Sequence, residues 1–148
     1  MKVLNIVFIS FLVTGCSSKS YFEGDIRDAY EPTSINGAQK GTSALVKTAA
    51  GISIWKVDGK REVSAFNVLV SGGLDSILLT EGYHTIGCTR RGDINIGKTY
   101  YKKEHEYLID YLEEKDGSRR RVYYWVKDLT EDRVVYGEEK KISDFLVE

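Results

Sequence analysis

The sequence predicts an all-β, mainly antiparallel fold: a small β-sandwich or partly open barrel behind a signal peptide and a flexible tether. Three observations predict it. Short runs rich in Val, Ile and Tyr recur from Thr42 onward, with turn residues between them every ~8–12 residues. Ten Tyr, 14 Gly and a single Pro suit strands joined by tight turns. Beyond the N-terminal apolar run, no long stretch has the 3.6-residue apolar periodicity of an amphipathic helix.

The chain divides into residues 1–15, 16–41 and 42–148. In the first segment, Lys2 supplies one positive charge and Val3 to Val13 is apolar except for Asn5 and Ser10. A run of about 11 residues fits the apolar region of a secretory signal and falls short of the ~18 of a spanning helix. Val13-Thr14-Gly15-Cys16 then resembles the lipobox of bacterial lipoproteins: aliphatic, small, Gly or Ala, Cys. The resemblance implies cleavage before Cys16, a diacylglycerol on its sulfur and an acylated amino group. The thiol is required there because the thiolate is the nucleophile toward the lipid donor. Several acyl chains hold stably where one binds only marginally. Ser17, rather than Asp, implies an outer-membrane protein facing the periplasm, with Cys16 as its membrane partner.

Removing residues 1–15 takes away Lys2 and leaves 20 basic against 22 acidic residues, a net charge of −2. That balance gives no global attraction for nucleic acid, which is not expected as a partner. With Cys16 lipidated, Cys88 has no partner in the chain and is expected to be buried as a small hydrophobe.

Residues 16–41 are rich in Ser, Gly, Asp and Asn, and read as a tether that Tyr21, Phe22 and Tyr30 could dock onto the domain. Strands are then expected over 44–48, 52–57, 66–70, 77–80 and 84–90, followed by 107–113, 119–127 and 133–136. Asp58-Gly59 and Asp116-Gly117 are hairpin signals, because paired central turn positions favour residues that tolerate positive φ. Arg91-Gly92-Asp93 reads as a turn. The charged end, from Glu138, suggests a short helix through Ile142, Phe145 and Leu146.

Ile54-Trp55-Lys56-Val57-Asp58-Gly59-Lys60, followed by Glu81-Gly82-Tyr83-His84-Thr85-Ile86, resembles a pattern of small PEGA-like β-domain envelope lipoproteins of unknown function. Glu81 stands where that pattern has Pro. Trp125-Val126-Lys127-Asp128-Leu129-Thr130 partly matches its later segment, with Thr130 one place early. The resemblance spans about residues 42–136 and implies an architecture more than an activity.

Ser71-Gly72-Gly73-Leu74-Asp75-Ser76 resembles the phosphate loop of the ATP pyrophosphatase family, whose glycines let backbone N–H groups approach phosphate before a helix. Gly82 interrupts too soon for that helix, and the next β-like run is too close for a crossover. A glycine-rich hairpin loop is the expected structure. His84 and His105 lack metal-ligand spacing, so no metal and no cofactor are expected, and Lys103-Glu104-His105-Glu106 reads as solvent-facing. On the strand over 119–127, alternation places Arg119, Arg121, Tyr123, Trp125 and Lys127 on one face. Cations beside aromatic rings suit a sugar polymer or an acidic partner. The expected function is therefore a non-enzymatic, outer-membrane-anchored lipoprotein that binds an envelope protein, peptidoglycan or a polysaccharide. The alternatives are an immunity or inhibitor lipoprotein against an exported toxin or lysozyme, or, less favoured, an enzyme using Ser71–Ser76.

Overall fold

Alternation builds the core strands. In Ala44–Thr48, residues Ala44, Val46 and Thr48 point inward and are buried, while Leu45 and Lys47 point outward. In Asp93–Tyr101 the same period holds on each side of a bulge, with Ile94 and Ile96 buried before it and Thr99 and Tyr101 after it. A computed structural model describes residues 19–24, 31–63 and 73–146. Among them it contains β1 (Ser20–Glu23), β2 (Thr33–Ser34), β3 (Ala44–Thr48), β4 (Ser53–Val57), β5 (Lys60–Arg61) and β6 (Ser76–Leu79). Then follow β7 (Gly82–Thr89), β8 (Asp93–Tyr101), β9 (Glu106–Asp116), β10 (Arg119–Asp128), β11 (Arg133–Gly137) and a 3₁₀ turn (Ile142–Phe145). No described helix is long and apolar enough to cross a membrane.

The strands form two sheets facing each other. The larger has the order β11-β10-β9-β3-β6-β2, with β1 also on β9; the smaller has the order β5-β4-β7-β8. Among the described residues only β2–β6 and β3–β9 pair in parallel, so the all-β, mainly antiparallel architecture is as expected. The inner faces interlock: Val46, Ile77, Leu79, Ile109 and Val126 from the large sheet meet Ile54, Val57, Ile86, Cys88 and Ile96 from the small one. Each such side chain contributes about 1.5–3 kcal/mol by leaving water. Tyr101 and Tyr107 meet edge to face at 5.0 Å inside this core.

Among the features that join the sheets are two near one end of the small sheet. Leu74 exchanges both backbone hydrogen bonds with Ile54, at 2.8 and 2.9 Å, before the chain enters β6 of the other sheet. Arg90, just past β7, donates to Glu113 of β9 at 2.6 Å and lies 3.8 Å over the Tyr111 ring.

The long strand β9 takes two partners end to end along one edge. β3 pairs with its residues 106–109 and β1 with its residues 112–115, while β10 runs the whole opposite edge. Gly24 closes β1 against this wall. A side chain there would come within 2.6 Å of the Ala49 Cβ and 2.8 Å of the Tyr111 ring. Part of the segment read as a tether is therefore sheet, and Ile35 just beyond β2 is in the core.

Asp58 and Gly59 both have positive φ (48° and 78°), as a two-residue hairpin with the expected residues requires. At the second hairpin the central pair is Gly117-Ser118 rather than Asp116-Gly117, because Asp116 still pairs with Arg119. Only Gly117, at φ 58°, needs the left-handed region there. The strand expected over 66–70 lies outside the described residues, as does all of 1–15.

Candidate functional site

The outer side of the small sheet is open. Along β7 the residues facing away from the core are Tyr83 and Thr85, both exposed, then Gly87. Tyr83 pairs with Tyr100 of β8 across the sheet, and their rings meet edge to face at 5.1 Å. Tyr83 is 62% exposed and Tyr100 45%, an unusual outlay of ring surface in water. Lys98 sits 5.2 Å from the Tyr83 ring centre. The Tyr100 hydroxyl donates to Glu81, and the protein around it, with that carboxylate, holds its pKa above the ordinary value.

A bulge shapes each end of this face. Two residues of β8, Gly97 and Lys98, stand opposite the single Thr85, since His84 pairs with Thr99 and Ile86 with Ile96. The extra residue throws Lys98 outward beside the tyrosines. On β4, Trp55 is the extra residue, between Ile54–Cys88 and Lys56–Gly87. Its ring lies on the outer side of Gly87, with Arg61 at 5.2 Å and Lys56 at 5.8 Å from its centre, and its buried Nε1 has no acceptor. A trough of about 250 Å³ on this face is lined by Lys56, Gly59, Thr85, Gly87, Asn95 and Gly97. Gly87 and Tyr83 are four residues apart on β7, about 13 Å at ~3.3 Å each. The face thus carries two clusters of ring and cation, with a glycine-lined trough on the same sheet.

The β10 face expected from sequence is assembled, but mostly covered. Arg119 and Arg121 are exposed, Tyr123 is half-buried, and Trp125 is only 5% exposed. The C-terminal segment lies across them. Phe145 of the 3₁₀ turn meets both Tyr123 and Tyr21 of β1 at 5.4 Å, and Lys127 is drawn to Asp132 at 2.8 Å and Glu139 at 3.7 Å. A cleft of about 470 Å³ remains between Trp125, Asp110, Glu23 and the 139–143 segment. Burial pushes the Asp110 carboxyl above its usual range, reinforced by Glu23 and Glu139 and opposed by the Tyr111 N–H it accepts from.

Both histidines hold turns. His84 Nδ1 lies 2.7 Å from Asp58 and Nε2 lies 2.8 Å from the Thr80 carbonyl, which can only accept, so Nε2 carries a hydrogen. Partial burial raises the Asp58 pKa, but the His84 contact and the Thr85 N–H outweigh it and hold the carboxyl below its usual value. His105 is not solvent-facing as expected. It meets the fully buried Asp128 at 2.8 Å, with Glu131 at 3.8 Å from its other nitrogen. This His-Asp-Glu trio has the donor types of a metal centre, which its scattered sequence positions conceal. Glu131, however, is engaged by Lys102 (3.1 Å) and Arg133 (2.6 Å), and Asp128 accepts from the Thr130 and Glu131 N–H groups. The trio, with Lys102 and Arg133 on Glu131, acts as a clasp on the β10–β11 turn.

Cys88 is fully buried and burial pushes its thiol up to about 12, which suppresses the thiolate. Ser71 and Gly72 lie outside the described residues. From Gly73 on, the phosphate-loop look-alike serves the sheets: Leu74 bridges to Ile54, the Asp75 carbonyl accepts from Thr48, and Ser76 opens the buried strand β6. A strand stands where phosphate cradling needs a helix N-terminus.

Comparison with known protein families, with curated proteins and with solved structures finds no match for this chain.

Proposed function

We propose that this chain is an envelope lipoprotein, anchored to the outer membrane through Cys16, whose domain binds an anionic cell-wall glycan on the open face of the small sheet. The carrying observation is the pair of exposed rings, Tyr83 and Tyr100, with Lys98 beside them and Trp55, Lys56 and Arg61 on the same face. Flat rings offer an apolar surface to the faces of sugar rings, and the flanking cations take carboxylate or phosphate groups. Rings of this size stay exposed in water at a cost unless a partner covers them. The buried thiol and the engaged histidines support a binding role rather than a catalytic one.

Co-sedimentation of the mature protein with purified cell-wall material tests the reading. Tyr83→Ala with Tyr100→Ala should abolish retention, and Lys98→Gln should weaken it and reduce its salt sensitivity. Full retention in the double variant overturns the glycan site. Retention of a specific envelope protein by the same face, in place of the glycan, would instead favour an inhibitor or immunity role.

A further inference from the structure

We propose that the tip of the β9–β10 hairpin docks on anionic phospholipid headgroups and stands the domain upright on the membrane. The proposal rests on the anchor at Cys16. β1 begins at Ser20, so only Ser17, Ser18 and Lys19 separate Cys16 from the sheet. Four Cα steps span at most about 14 Å. Ser20 pairs with Lys115, one residue before the hairpin's last paired position, Asp116 opposite Arg119. The tip therefore sits within one to two Debye lengths of the surface that holds the acyl chains, ~8–10 Å each.

Its charge fits that surface. Lys19, Lys115, Arg119, Arg120 and Arg121 cluster at this end, and the three arginines are exposed. Of the carboxylates beside them, Glu113 is buried and held by Arg90 and Arg120, and Glu114 is buried with Lys19 at 3.9 Å. Among the described residues, Asp116 is the remaining one, half-buried at the turn. Arg119 and Arg121, exposed on the outer face of β10, carry the outward charge of the tip. The net charge of −2 on the mature chain conceals this polarity.

Orientation follows from register. The buried start of β9 at Tyr107 lies nine residues from Asp116, about 30 Å away at ~3.3 Å per residue. Tyr107 packs on Tyr101, next to Tyr100, whereas the opposite end of the small sheet is tied to the tip through Arg90 and Glu113. The exposed tyrosines therefore point away from the membrane, toward a wall polymer.

The test uses the chain from residue 16 carrying Cys16→Ser, mixed with vesicles of neutral phospholipid or of neutral plus anionic phospholipid. Binding should require the anionic lipid and fall steeply with salt. Each cation near such a surface is worth about a fivefold change in partition, so Lys115→Gln, Arg119→Gln and Arg121→Gln together should cost about a hundredfold. Lys40→Gln, Lys60→Gln and Lys103→Gln together change the net charge equally and should leave binding intact. Equal binding to both vesicles, or an equal loss in the two triple variants, overturns the docking tip. Mass spectrometry of membrane-extracted protein reads the anchor separately: an unmodified Cys16 removes the anchor reading, whatever the vesicles show.

Discussion

The two sheets carry similar residues on their outer faces and treat them in opposite ways. On the large sheet, Tyr123 and Trp125 with Lys127 are roofed by the chain's own C-terminal segment, and Trp125 keeps 5% of its surface. On the small sheet, Tyr83 and Tyr100 with Lys98 have no roof among the described residues, and Tyr83 keeps 62%. The same composition is thus structural in one place and available in the other. What separates them is where residues 139–146 fall, not local chemistry.

The sharpest way to break this contrast is to truncate one aromatic on each face. Trp125→Ala should cost about 3–5 kcal/mol of stability, through lost burial and a cavity under the C-terminal segment. Tyr83→Ala should stay within about 0.5 kcal/mol, because its ring is largely solvated already. Urea unfolding of both variants decides it; equal losses would mean that the small sheet's face is structural too. A comparable effect is expected where the sheets are tied. Glu113→Leu leaves Arg90 buried without its carboxylate and should cost about 3–5 kcal/mol, read in the same experiment.

A smaller effect should separate the faces by pH. Asp58 lies beside the small sheet with its pKa below 3.8 in the folded protein. It binds a proton less readily when folded, so its stabilising contribution is full above the unfolded value and is lost as pH falls through the depressed one. Asp110 lies under the large sheet's roof with its pKa above 3.8. It costs stability at neutral pH, and that cost fades as pH falls through the raised value. Asp110→Asn should therefore stabilise at neutral pH, with the gain shrinking in acid. Asp58→Asn should destabilise at neutral pH, with the loss shrinking in stronger acid. Unfolding curves across the acid range that move in the same direction would contradict these assignments.

Much of the fold was legible because local periodicity and turn chemistry agreed. β3 occupies the residues its alternation marks, and Asp58-Gly59 makes the turn that its residue types favour. β8 was missed because its bulge breaks the alternation between Ile96 and Thr99, so the two buried halves are out of phase. β1 was missed because Ser-Tyr-Phe-Glu has no inward apolar set. It is a strand only because the edge of β9 beyond β3 is unfilled. For the candidate sites, alternation places the β10 side chains on their faces, and packing of its aromatics under a neighbouring segment is a reading the residues allow, but they do not say which segment. The C-terminal segment carries too few apolar residues to announce that Phe145 reaches back to Tyr21 and Tyr123. Tyr83 and Tyr100 lie 17 residues apart, and only the β7–β8 register brings their rings together.

The placement of β1 has a mechanical consequence. Its first residue lies at the end of β9 nearest the hairpin tip, and the chain leaves the sheet from that end. Tension reaching the domain through Lys19 runs along the strand axis. It loads the four β1–β9 pairings together, in shear, instead of peeling them one by one. A four-residue strand of the N-terminal segment is thereby turned into a strain-bearing splice, with Gly24 wedged against Ala49 and Tyr111 as its stop.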